Sequence, residues 1–347
     1  MVRPALALLV GALATGCYST LRELDVQRRP PRRAHCAPAA CADSVELTYL
    51  GVGGFVLRHG GQAIMTAPSF SHRGLVPVAV NWSVRSDSGA VDRGMARVDT
   101  SGVAAVLVGH SHYDHAMDLP RVAERWVPRA RVYGSGTLKN ILAGAPGLDT
   151  ARLVSLDGDV GDSAHVGRWT YVPGGRIRFM PLRSSHAPNF LWITIANDEQ
   201  RTARRDLPRS AWGWKKGPVY AYLIDVTDAA DTTRPAFRVF YQDAAAKAEY
   251  AVLPKFAGAD ARPVDVAIIC VGNFDSYHSP RYPEPTLRAL QPRHVVLGHW
   301  ENFFREPEPP FAVLPATKTR ELVRRVEAVV GRSWVTLEPF ASQRYLF

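Results

Sequence analysis

The feature that most restricts the fold is an unbroken apolar run, residues 103–108, that leads straight into Gly109-His110-Ser111-His112-Tyr113-Asp114-His115. A run this apolar reads as a strand covered on both faces. His110, His112, Asp114 and His115 at its end are all ligand types that zinc accepts. On an extended segment, side chains two apart share a side, so His110 and His112 can grip one ion. Asp114 and His115 come after the chain has begun to turn and can face a second. A merely solvated histidine-rich loop would not need a buried strand before it.

The rest of the chain alternates strand and helix patterns. Strands are expected at 46–50, 55–57, 62–65, 153–155, 169–172, 176–180, 219–226, 237–241, 266–271 and 294–297. Pro285 is placed for the first turn of a helix running to Leu290. Leu322, Val323, Val326, Val329 and Val330 recur at helical spacing, with Gly331 as the C-cap. This order indicates an α/β layered domain. The 347 residues would ordinarily suggest two domains. The formal net charge of +10 favours anionic partners without choosing between phosphates, lipids and nucleic acid. No nucleic-acid-binding motif accompanies it, so no specific nucleic acid is expected.

His-x-His-x-Asp-His after a buried strand resembles the signature of the metallo-β-lactamase superfamily. The resemblance extends over roughly residues 46–340. It implies one α/β domain, a four-layer αββα sandwich at 44–347, in place of two. It also implies two metal ions, zinc first, with Mn2+ or Fe2+ also suited. The strand 176–180 leads to Ser184-Ser185-His186, where the third ligand of the first metal is expected. The strand 239–241 ends at Gln242-Asp243, the place of the carboxylate between the metals, and 294–297 ends at Gly298-His299. So His110, His112 and His186 would hold one metal, Asp114, His115 and His299 the other, with Asp243 bridging. His165, His294 and Asp225 remain rival ligands by position, while His35, His59 and His72 read as surface or linker residues.

Within the superfamily the chain is most similar to the N-acyl-phosphatidylethanolamine phospholipase D and L-ascorbate-6-phosphate lactonase branch. Gly61-Gln62-Ala63-Ile64-Met65, Pro68-Ser69-Phe70-Ser71-His72-Arg73 and Gly298-His299-Trp300 carry that likeness. Ala67 and Gln242 depart from it, standing where the branch has aspartate and glycine. The resemblance implies hydrolysis by a water whose pKa two cations lower. Asp114 would aim that water, and His278 would assist the leaving group. The expected substrate is a phosphodiester or ester, that of a lipid included. A lactonase acting on a small anionic metabolite and a non-catalytic metal-binding module are the alternatives.

Strand counting adds one expectation. His186 and Asp243 must share an edge, which needs an even number of antiparallel strands between them. Three apolar runs lie there: 190–196, 219–226 and 237–241. The last two form the natural hairpin. Residues 187–217 therefore read as an insertion over the metal site. Arg201, Arg204, Arg205, Arg209, Lys215 and Lys216 stand against Asp206 in it, with Asp198 and Glu199 just before. Trp212, Trp214 and Lys215 are the expected substrate-binding residues, with Trp192 in the odd run. Aromatic bodies beside cations suit an anionic amphiphile.

The N-terminus carries a different signal. Residues 1–16 have a basic Arg3, a short apolar stretch and small residues before Cys17, which resembles a lipoprotein signal. Residues 17–43, with Arg28-Arg29-Pro30-Pro31-Arg32-Arg33, read as a linker too polar to bury a core. Cys36 and Cys41 can pair in an oxidising periplasm, whereas Cys270 reads as a buried thiol. The chain is thus expected on the periplasmic side of a bacterial envelope membrane, the outer one in preference. A multiply acylated cysteine anchors stably, so Cys17→Ser should release the protein from the membrane fraction or block its processing. A soluble mature wild-type protein beginning after residue 17 would refute lipidation.

Overall fold

In a computed structural model, the described residues are 26–27, 43–188, 194–250, 252–272, 274, 279–315 and 317–347. The expected signal segment, Cys17, Cys36, Cys41, Trp192 and His278 lie outside them. One sheet holds β2 (Ser44–Gly51), β3 (Gly54–His59), β4 (Gln62–Thr66), β5 (Val103–Leu107), β6 (Arg131–Gly134), β7 (Leu153–Ser155) and β15 (Ser342–Leu346), in the order β15-β2-β3-β4-β5-β6-β7. The other holds β1 (Val26–Gln27), β8 (Thr170–Tyr171), β9 (Ile177–Arg183), β10 (Tyr220–Thr227), β11 (Pro235–Tyr241), β12 (Val266–Cys270), β13 (His294–Gly298) and β14 (Trp334–Leu337), in the order β1-β14-β13-β12-β11-β10-β9-β8.

Strand alternation builds two cores. Phe55, Leu57, Ile64 and Leu107 join Phe179, Leu223, Phe240 and Ile268 of the other sheet in one cluster. The intervening Val56, Met65 and Val106 join a second cluster with the helices of the first sheet. Those helices are α1 (Leu75–Ala79), α2 (Ser88–Met95), α3 (Tyr113–Ala116), α4 (Leu119–Arg121) and α5 (Gly136–Leu142). Asp87 caps α2 by accepting from Ala90 N–H, and Ser135 caps α5 by accepting from Leu138 N–H. On the other sheet, α6 (Glu284–Leu290) and α7 (Thr319–Val330) contribute Leu287, Leu290, Leu322 and Val326 to the first cluster. Gly331 ends α7 at φ +60°, as a C-cap requires. The architecture is a four-layer αββα sandwich, two sheets face to face with helices on each outer side. Among the described residues no helix is long and apolar enough to cross a membrane.

β9, β10 and β11 pair antiparallel, while β11 to β14 are parallel. Two strands, β10 and β11, therefore separate His186 from Asp243, as the counting argument requires. Residues 194–196 of the odd run form no strand.

Register on these strands sets Arg178, Asp225 and Arg238 directly opposite one another. The Asp225 carboxylate accepts from Arg238 Nε at 2.7 Å and from Arg178 Nη2 at 2.9 Å. Trp169 lies over the Arg178 guanidinium, 4.1 Å from ring centroid to Cζ. This rules Asp225 out as a rival ligand, since both its oxygens are engaged in a buried ion cluster. Removing it would leave Arg238 with backbone carbonyls alone and Arg178 with Asp260 alone, a loss of about 3–5 kcal/mol. Asp225→Ala should accordingly lower the urea midpoint sharply.

Candidate metal centre

Every candidate ligand follows the C-terminal end of a strand. Leu107 ends β5 two residues before Gly109, and His110, His112, Asp114 and His115 fill the next turns. His112 is the N-cap residue of α3, so Asp114 and His115 project from its only turn. His186 lies three residues past β9, Asp243 two past β11, and His299 one past β13. All these strand ends share one edge of the sandwich.

There the seven residues form three overlapping groups: His110, His112 and His186; His110, His115 and Asp243; and Asp114, His115 and His299. The ligand atoms within each group lie within 4.8 Å of one another. Asp243 joins the groups, with Oδ1 3.2 Å from His110 Nδ1 and Oδ2 3.3 Å from His115 Nδ1. Asp114 Oδ2 lies 3.5 Å from His115 Nε2 and 3.4 Å from His299 Nε2.

Neighbouring acceptors select which ring nitrogen faces inward in the first group. His112 Nε2 meets the Ile195 carbonyl at 2.8 Å, leaving Nδ1 for a ligand. His186 Nδ1 meets the Ala187 carbonyl, leaving Nε2. His110 Nδ1 faces Asp243, and its Nε2 is buried without a hydrogen-bond partner among the described residues. Hydrogen bonds of this kind orient imidazole ligands and fix their tautomers. His299 Nδ1 is likewise buried and unpartnered.

The electrostatics match a cation site. Burial, then neighbouring histidines, pushes His110, His112 and His186 down to about 3, so their rings are neutral near pH 7. Burial opposes ionisation of Asp114 and Asp243, but the adjacent histidines outweigh it and hold both well below the usual carboxylate range. Burial likewise disfavours a charged His115, yet Asp114 and Asp243 raise it above the ordinary value. The neutral rings of His110, His112 and His186, the ionised carboxylates of Asp114 and Asp243, and a buried His110 Nε2 with no partner among the described residues fit divalent cations.

Backbone crowding tightens the arrangement. A Cβ on Gly109 would lie 2.3 Å from Asp243 Oδ1, and one on Gly53 would lie 2.7 Å from His115 Nδ1. His299 adopts φ +54°, and its N–H donates to Tyr49 Oη at 3.0 Å. Tyr49 Oη in turn donates to Glu301, which also accepts from Val52 N–H. Sequence reading missed this support. Glu301 stands two residues after His299, but its partner Tyr49 is distant in the chain. It also missed Asp118, whose carboxylate accepts from Phe70 N–H, Ser71 N–H and the Ser71 and Ser86 hydroxyls. The only signal for it was an acid shortly after the histidine motif.

The other candidates separate cleanly. His165 is exposed and faces Asp162, and His294 starts β13 at the far end from His299. His59 is buried against the Ser44 carbonyl rather than on the surface. Gln242 is buried, with Nε2 3.4 Å from Ser184 Oγ. The insertion does reach the ligand loop, since Ser111 N–H donates to the Lys216 carbonyl at 3.0 Å. Its expected aromatic wall is corrected. Trp214 is 1% exposed and belongs to the core cluster that also holds Leu138 and Ile141 of α5, so it has no face for substrate. Lys215 is paired with Asp198 at 2.8 Å, and Trp212 alone of the two tryptophans is exposed.

No family model and no curated protein matches the chain. Among solved structures it is similar to Igni18, a metallo hydrolase from Ignicoccus hospitalis, at 14% identity and TM-score 0.48, covering 88% of this chain and 99% of that one. It is similar to the metallo-β-lactamase fold protein YhfI from Bacillus subtilis at 13% identity and TM-score 0.46, covering 87% and 100%. It is also similar to CmlA, a diiron β-hydroxylase from Streptomyces venezuelae, at 15% identity and TM-score 0.46, covering 88% and 54%. Likenesses at this level carry no argument about chemistry, which has to come from the site.

The crowding at Gly109 makes a test. Gly109→Ala should displace Asp243 and lower the metal bound per chain in elemental analysis, while circular dichroism stays that of a folded protein. Unchanged metal content would mean that Asp243 tolerates displacement and is not a ligand.

Proposed function

We propose that the chain is a metal-dependent hydrolase of the metallo-β-lactamase superfamily, acting on a phosphodiester or ester bond in an anionic substrate. The observation that carries this reading is the set of three overlapping ligand groups joined through Asp243. His110, His112 and His186 would hold one ion, and Asp114, His115 and His299 the other, with Asp243 between them. Zinc suits this donor set best, and manganese or ferrous iron would also be accepted. Two such ions would lower the pKa of water toward neutrality and stabilise negative charge that develops on the substrate.

The protein groups have separate tasks in this proposal. Asp114, kept ionised by His115 and His299, would accept a hydrogen bond from the attacking water and aim it. The neutral rings of the first group offer lone pairs without competing protons. Lys216, whose carbonyl meets the ligand loop, brings the basic insertion next to the site and favours an anionic substrate. His278 is proposed to protonate the leaving group. A lipid substrate fits the proposed anchor at Cys17.

The experiment is elemental analysis joined to a hydrolysis panel of lactones, phosphodiesters and phospholipids. About two ions per chain are expected, with activity lost on chelation and restored by zinc. Loss of an outer hydrogen-bonding partner costs a metal site about 10–100-fold, so His186→Ala and Asp243→Ala should lower activity by at least that factor and reduce bound metal. Full occupancy in both variants would overturn the ligand assignment. Full occupancy in the wild type with no turnover on any substrate class would overturn the hydrolase reading.

A further inference from the structure

Two segments that touch the metal-facing edge also carry most of the exposed apolar bulk among the described residues. His72 Nδ1 meets the Phe303 carbonyl at 3.2 Å, and the Phe303 ring lies against His299 at 5.1 Å. From His72 the chain runs through α1 to Ser86. The second segment ends at Lys216, whose carbonyl accepts from Ser111 N–H between two candidate ligands.

The two segments are joined side by side. Trp212 N–H donates to Asn81 Oδ1 at 3.1 Å, Ser83 bridges Ser210 antiparallel, and Val84 N–H donates to the Arg209 carbonyl at 2.8 Å. Val78 of α1 is buried, while Val76 on the same helix and Val80, its C-cap residue, face solvent. Trp82 follows at 70% exposure, and Trp212, bonded to the preceding Asn81, is 38% exposed. Scattered exposed apolar residues are ordinary, but a joined group of two valines and two indoles marks an interaction surface. Its charged neighbours are Arg73, Arg85 and Arg209, and within 72–87 and 207–214 the only acid is Asp87. Arg85 and Arg209 are both exposed.

We propose that Val76, Val80, Trp82 and Trp212, with Arg85 and Arg209, form a docking surface for an anionic lipid bilayer. Indole rings are amphipathic and settle at the level of the headgroups. Arginines beside them meet lipid phosphates, and a surface of one sign selects anionic membranes. A second copy of this chain would set the same cations against themselves, which disfavours self-association through this face. Docking turns the metal-facing edge toward the membrane. The inference needs neither acylation of Cys17 nor turnover at the metal centre.

The test uses the full chain carrying Cys17→Ser and vesicles of phosphatidylcholine with or without phosphatidylglycerol. Anionic lipid should tighten binding at least about tenfold, because each surface cation contributes. Lipids brominated on the acyl chains should quench tryptophan fluorescence of the bound protein, and Trp82→Phe/Trp212→Phe should remove most of that quenching. This readout is local to the patch, whatever other part of the chain touches the vesicle. Equal quenching in both proteins, or equal binding to the two vesicle types, would overturn the proposal. So would a dimer in sedimentation that Trp82→Ser/Trp212→Ser dissociates without any lipid quenching in the parent, which would assign the face to a second copy. Both substitutions are at exposed positions, and an unchanged melting temperature checks the fold.

Discussion

The Asp243 carboxylate, set between His110 and His115, is the contact on which the site depends. His110 and His115 hang from the end of β5 in one sheet, and Asp243 from the end of β11 in the other. No ligand group exists until the two sheets have packed face to face. The cluster of Phe55, Leu57, Leu107, Phe179, Leu223 and Phe240 therefore does more than stabilise the chain. It sets the distance between two loops that hold the chemistry, and apolar burial supplies the free energy for it.

Gathering ionisable groups this closely opposes folding unless each finds a partner. Within the protein, the imidazoles partner the two carboxylates, and the Ile195 and Ala187 carbonyls partner two of the imidazoles. His110 Nε2 is buried without a partner among the described residues, a polar cost that a cation would relieve. On β9, β10 and β11 the Arg178, Asp225 and Arg238 row solves the same problem differently. There Asp225 meets both guanidiniums across the register and Asp260 adds a second carboxylate on Arg178, so the cluster is complete without a ligand.

Much of this was legible from local pattern. A buried strand followed by ligand-type residues marked the first loop, and alternation marked most strands. The failures share a cause. Trp214 lies in a basic, polar segment and looked like a surface aromatic. The packing of that segment over α5 makes it core instead. His59 was taken for a surface residue because nothing local shows that β2 and β15 close over the end of β3.

The sequence by itself determined the kinds of candidate ligand and the strand ends that carry them, because hydrophobic period and residue chemistry are local properties. It also determined that β10 and β11 return the chain to the metal-facing edge, since strand parity follows from counting. Only the tertiary structure decided which ring nitrogens face inward, that Tyr49 and Glu301 support His299, and which tryptophan of the insertion meets solvent. Each of those depends on atoms brought together from distant parts of the chain, and distance along the chain carries no trace of such contacts.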